Sequence, residues 1–172
     1  YREEDIKSVS LILKKLHNSP VVFFNNIDYF QEIRSYIEII KSYNLDFPQF
    51  YGNYIQKLFE YEKEITIDNS LKVPCHNDPN IMNFIKTSEG FKIIDFEYSA
   101  NGDYYWDLAY FSSNAKLNIK QDHSLLSAYF NIENPDNHKK FFLYKPITQM
   151  MSAIWARMQI ALGNTIIKKE AL

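Results

Sequence analysis

Apolar residues recur at helical spacing from the start of the chain. Ile6, Val9, Leu13 and Leu16 fall on one face of residues 3–17, with Lys7, Lys14 and Lys15 away from it. Asn18-Ser19-Pro20 is a stop signal. A second helix is predicted from Asp28, a good N-cap with Gln31 at the reciprocal capping position, and Ile33, Tyr36, Ile37 and Ile40 continue its apolar face. A third runs from about 48 to 65 through Tyr51, Ile55, Leu58, Phe59 and Glu62. The period then shortens. Residues 71–75 read as a strand or extended lead-in, and 83–86 and 91–94 as two short strands joined by the hairpin loop Thr87-Ser88-Glu89-Gly90. Helical spacing returns over about 104–115, 122–131, 136–144 and 146–163, with Pro146 suited to the first turn of the last helix. The pattern predicts an α+β fold, mainly α-helical, with a small β-hairpin embedded among helices and no internal repeat.

Length and composition narrow the class. The 172 residues fit one domain, and 46% hydrophobic content is enough for a packed core and too apolar for a disordered chain. The net charge of −2 gives no broad basic surface, which argues against a nucleic-acid or anionic-membrane partner. No run of about 18 apolar residues occurs. The first residues, Tyr1-Arg2-Glu3-Glu4-Asp5, do not read as a signal peptide. A single cysteine, Cys75, excludes an internal disulfide and fits a cytoplasmic location. The four histidines are scattered, so no zinc framework is expected.

The chemistry concentrates around the predicted hairpin. His76-Asn77-Asp78 is followed by Asn83, five residues after Asp78, and then by Ile94-Asp95-Phe96-Glu97. One backbone turn can present Asp78 and Asn83 to one place. A carboxylate there can take a proton from a hydroxyl, and Asn83 with Asp95 offers hard oxygen donors to magnesium. Glu97, two residues beyond Asp95, would share its side in an extended segment and add a metal contact. Alone, the H-x-D motif reads more readily as solvated loop, with Asx turns at Asp78 and Asn80 and a cap at Asp95. The joint spacing points to phosphoryl transfer. His76 reads as structural, because no Ser or Cys is placed to form a triad with it. Asp107 is expected to brace the loop. Trp155 on the last helix is either core or a face for a quaternary ammonium.

These residues resemble the choline/ethanolamine kinase family. The resemblance rests on Cys75-His76-Asn77-Asp78 through Asn83, Ile94 to Tyr98, and Asp103 to Ala109, and it covers most of the chain. The bacterial choline kinases of the LicA type are the nearest in pattern. The aminoglycoside phosphotransferases and thiamine kinases are wider relatives with a protein-kinase-like fold. The resemblance implies that residues 1–172 form the C-terminal, catalytic lobe. It implies Asp78 as base, Asn83 and Asp95 as holders of Mg2+ and ATP, Glu97 at the metal or substrate side, and Trp155 facing a trimethylammonium group. Asn77 stands where protein kinases carry Arg, which argues against control by activation-loop phosphorylation. Ser152 and Gly102 depart from the family pattern, so ethanolamine, thiamine or an aminoglycoside stays open as acceptor beside choline.

The four glycines form no G-x-G cluster, and no strand ending in Lys precedes the first helix. The expectation is a piece of a longer protein without its nucleotide lobe, inactive alone and self-associating through the exposed inter-lobe face. The competing reading is a non-catalytic kinase-like module that binds a small amine or a partner. The complete acidic set argues against it.

Overall fold

A computed structural model describes residues 2–45, 47–48, 51–65, 72–131 and 134–164. The elements in chain order are α1 (Glu3–His17), α2 (Tyr29–Ser42), α3 (Tyr51–Glu64), β1 (Val73–Cys75), a 3-10 turn (Ile81–Asn83), β2 (Phe84–Thr87), β3 (Gly90–Ile93), β4 (Ala100–Gly102), α4 (Tyr104–Asn114), α5 (Ile119–Phe130) and α6 (Pro135–Ala161). They divide into two compact units. One holds Tyr1–Ile27 and Ile67–Lys145, the other Asp28–Thr66 and Pro146–Leu172.

In the first unit α1 packs mainly on α5. Its stripe of Ile6, Val9 and Leu13 is completely buried. Each such side chain contributes about 1.5–3 kcal/mol by leaving water. Ser10 adds a buried hydrogen bond, its hydroxyl donating to the Leu125 carbonyl at 2.8 Å. Acidic residues fill the first turn of α1 and basic ones the last, matching the helix dipole. Helix α4 is the core element. Tyr105, Trp106, Asp107, Leu108, Ala109, Phe111 and Ser112 are all buried, so it has no wet face of ordinary width. Its N-cap Asp103 accepts from the Tyr105 amide at 3.0 Å. The same carboxylate takes the Tyr144 hydroxyl at 3.0 Å and the Lys140 ammonium at 2.7 Å.

The expected hairpin is present one residue out of place. Strands β2 and β3 pair antiparallel from Phe84↔Ile93 to Thr87↔Gly90. Gly90 turns at a φ of +110°, where a side chain would be strained. A second two-stranded sheet, β1 with β4, pairs Val73↔Gly102 and Cys75↔Ala100. The sequence reading did not foresee β4, since three residues give too little alternation to see. Leu71, its expected first residue for the β1 strand, lies outside the described residues, as do 49 and 50 of the expected third helix.

Two helix boundaries differ from expectation. Helix α5 starts at Ile119, because Asn118 and Gln121 form a reciprocal capping box with both bonds at 3.0 Å. The helices expected over 136–144 and 146–163 are one helix, α6, with Pro146 inside it. Proline removes one backbone bond at a cost of about 3 kcal/mol. Burial at helical spacing on both sides, by Phe141 and Tyr144 before it and Ile147 and Ile154 after it, keeps the chain helical.

In the second unit Asp28 caps α2 as expected, accepting from the Phe30 and Gln31 amides at 3.1 Å each. Tyr29, Phe30, Ile33, Ile37 and Ile40 form its buried face. The Arg34 guanidinium pairs with both Glu62 oxygens and lies 4.6 Å from the Phe59 ring centre, joining α2 to α3. Among the described residues, no helix is long and apolar enough to cross a membrane.

Candidate active site

The loop leaving β1 is held by backbone amides converging on one carboxylate. Asp107, on α4, accepts the His76 amide at 2.7 Å and the Asn77 amide at 2.8 Å. Its Oδ2 also meets His17 Nε2 at 3.0 Å, and both side chains are essentially without solvent. Asn77 takes a φ of +66°, which Asn tolerates better than most residues. Its carbonyl accepts from the Trp106 indole at 3.1 Å, and its side-chain amide donates to the Tyr98 carbonyl at 3.0 Å. The turn that aims Asp78 is therefore fixed on both sides.

Asp78 is half-buried. Its Oδ2 accepts from the Asn80 amide at 2.9 Å and from the Asn83 amide at 3.3 Å. The Asn83 amide also donates to the Asp78 backbone carbonyl at 2.9 Å. Asn80 caps the 3-10 turn by accepting from the Met82 amide at 2.9 Å, and the Ile81 amide donates to Asn114 Oδ1 at 2.9 Å. Burial pushes the Asp78 carboxyl above its ordinary range, opposed by hydrogen bonds from Tyr110 and Asn80, by His76 and by Asn83.

The second loop is sewn to the first through Ile94. Its amide donates to the Asn83 carbonyl at 3.0 Å, and its carbonyl accepts from His76 Nε2 at 2.8 Å. The Asp78 amide donates to His76 Nδ1 at 3.3 Å, so the ring carries its proton on Nε2. The His76 and Phe96 rings lie 5.0 Å apart. Asp95, the next residue after Ile94, has a φ of +66° and is exposed. Among the described residues, no hydrogen bond or ion pair to its carboxylate is seen. The Asn83 amide nitrogen is committed to Asp78, which leaves Asn83 Oδ1 as its ligand atom. These hard oxygens fit magnesium.

Strand alternation does not place Glu97 beside Asp95. Residues 94–96 are irregular and Glu97 begins a turn, so two-residue alternation does not apply. Glu97 is exposed beside the loop. Trp155 lies in the second unit, half-buried on α6. A groove of about 400 Å³ in that unit is lined by Tyr51, Tyr54, Lys57 and Tyr61 of α3 and by Ile147 and Met150 of α6, among others. Trp155 is not among its lining residues.

Sequence reasoning missed Tyr110, Asn114 and His17, and read Asn80 only as an Asx turn. Tyr110 is three residues after Asp107 on α4, a spacing that shares a helix face and was available to find it. The scattered histidines also gave no warning that His17, Cys75 and Asp107 bring ligand atoms within 4.8 Å of one another. That buried cluster does not suit a metal. Both His17 nitrogens are engaged, and the Asp107 carboxylate already takes two backbone amides.

The model of the phosphotransferase enzyme family matches residues 49–141. A LicA homolog of Metamycoplasma hominis is 31% identical over 153 residues, which is 89% of this chain and 58% of that protein. The crystal structure of a choline/ethanolamine kinase family protein from Mesorhizobium loti superposes with a TM-score of 0.84 at 26% identity, over 98% of this chain and 58% of that one. A LicA structure in complex with AMP gives 0.78 at 25% identity, over 94% of this chain and 56% of that one. The mainly helical α+β expectation and the kinase-like C-terminal lobe are borne out by these superpositions. The chain spans less than two thirds of each of these proteins.

Proposed function

The chain belongs to the phosphotransferase enzyme family, and on that premise we propose that it is the catalytic lobe of an ATP-dependent kinase acting on the hydroxyl of choline or a similar amino alcohol. The double bonding of Ile94 is the observation that supports this most directly. It ties the residue before Asp95 to the loop that carries Asp78 and Asn83. The similarity to LicA proteins, one of them in complex with AMP, supports an adenine nucleotide and a choline-class acceptor.

In this reading Asp78 orients the acceptor hydroxyl and takes its proton late in the transfer. Its amide donors fix the carboxylate before substrate arrives. Asn83 and Asp95 would hold Mg2+, with Glu97 assisting from the turn, and the ion would supply charge neutralisation at the phosphate oxygens. His76 and Asp107 position the loop without touching substrate. Trp155 faces the cationic group of the acceptor.

The 172 residues alone, lacking a G-x-G cluster and a strand Lys, do not turn over ATP efficiently. Exposed Met82, Ile85, Ile94 and Phe96 around the two loops are the surface through which the isolated lobe self-associates. Residence in the cytoplasm fits ATP use and the single Cys75, which forms no disulfide.

The test is steady-state phosphorylation of choline, ethanolamine, thiamine and an aminoglycoside by the full-length protein containing this chain. Magnesium-dependent transfer to choline above the others is expected. Tight binding of nucleotide and choline with no product would replace the kinase with a binding module.

A further inference from the structure

Asp107 braces the catalytic loop, but the bracing does not end there. His17 Nδ1 lies 2.7 Å from the Tyr129 hydroxyl, deep between α1 and α5. Three elements distant in sequence are thus joined in one line, Tyr129 to His17 to Asp107, and Asp107 in turn holds the His76 and Asn77 amides. We propose that Tyr129 is a positioning residue for Asp78, acting through the tautomer of His17; this rests on the kinase reading above.

Donor and acceptor accounting fixes the direction. A carboxylate taking two backbone amides is an acceptor only, so His17 must present N–H from Nε2 to Asp107. Among the described residues, His17 Nδ1 is the phenol's only hydrogen-bond partner. If Nδ1 also carried a proton, it would donate to the phenol oxygen and leave the phenol proton without a partner in a buried site. A neutral ring with its proton on Nε2 pairs every atom. Burial, with Tyr104 next, pushes the Tyr129 phenol far above the ordinary tyrosine range, so it keeps the proton it donates. Stacking on Tyr104, with ring centres 5.5 Å apart, holds the phenol in place.

The consequence is local. With the Nε2 proton locked, Asp107 keeps three donors in a site without solvent. It can then hold Asn77 in its left-handed turn, and that turn aims the next residue, Asp78. Without the phenol, His17 is free to exchange tautomers. In the other tautomer a bare lone pair faces the carboxylate and loosens the loop.

The experiment uses the full-length protein. Nitrogen-15 spectra at neutral pH are expected to show His17 neutral and protonated on Nε2. In Tyr129→Phe, amide exchange at His76 and Asn77 is expected to quicken while that of Leu108 stays slow. The same variant is expected to lower kcat about tenfold with both KM values unchanged, since small misplacements of a reacting group cost up to ~10²-fold. Adding Tyr129→Phe to His17→Gln is expected to cost nothing further, because both act on one line. A doubly protonated or Nδ1-protonated ring in the wild type overturns the proposal, as does unchanged exchange at residues 76 and 77 in the variant. Both readouts need no turnover. Absence of phosphoryl transfer therefore sinks the kinase reading separately from this one.

Discussion

The side-chain amide of Asn83 reaches back across five residues to Asp78, donating to its backbone carbonyl at 2.9 Å and to its carboxylate at 3.3 Å. One amide nitrogen thus closes the loop and loads the proposed base, and the other end of the same group is left for a metal.

Replacing Asn83 separates these tasks. Asn83→Ala is expected to lower turnover by roughly 10²-fold and to raise the KM for magnesium–ATP, since it removes a ligand and opens the loop. Asn83→Asp keeps an oxygen but sets a second carboxylate beside Asp78, which pushes the Asp78 carboxyl further up. Its activity is expected to recover with rising pH, as rate–pH profiles of the two variants would show. Equal profiles would count against contact between the two side chains.

Asp78→Asn is expected to cut kcat by roughly 10²–10⁴-fold, the range of general acid–base catalysis. Stability is expected to move the other way. Burial raises the folded-state value of this carboxyl, so its contribution to stability is full below the ordinary aspartate value of about 3.9 and declines as pH rises through the folded value. The Asn variant lacks that decline. Denaturant melts across this range should show the variant gaining on the wild type as pH rises.

Asp107→Ala leaves two backbone amides and His17 Nε2 without their shared acceptor. Each stranded donor costs about 1–3 kcal/mol. A total loss above about 3 kcal/mol is therefore expected in equilibrium unfolding. A loss below about 1 kcal/mol would mean that the loop finds other partners.

Trp155→Ala tests the acceptor. A desolvated cation–π contact is worth up to about 2 kcal/mol, so the KM for choline is expected to rise roughly ten- to thirtyfold. Ethanolamine, with its smaller and better hydrated ammonium, should lose less. If Trp155→Ala is silent and Tyr54→Ala is not, the tyrosine groove between α3 and α6 holds the acceptor instead.

Much of this candidate site is legible in the spacing of the sequence. Asp78, Asn83 and Asp95 stand in one spaced motif, and the hairpin between them was announced by Gly90 and by the short apolar runs on either side. Alternation does not reach Glu97, because a left-handed residue at Asp95 ends the extended run on which alternation depends. Pro146 was read by its local preference, and burial of its helical neighbours overrode that preference. The capping box at Asn118 is written in the sequence, with Gln121 three residues on.

The sequence by itself determined which candidate side chains stand in one spaced motif and which segments turn, because turn residues and side-chain identity act over a few positions. Tertiary structure decided what holds those atoms still. Tyr129, His17 and Asp107 lie on three different helices, as Tyr110 and Asp78 lie on a helix and a loop. Such pairings form only after separate apolar faces are buried against one another. That burial removes competing water and makes each remaining hydrogen bond hard to replace.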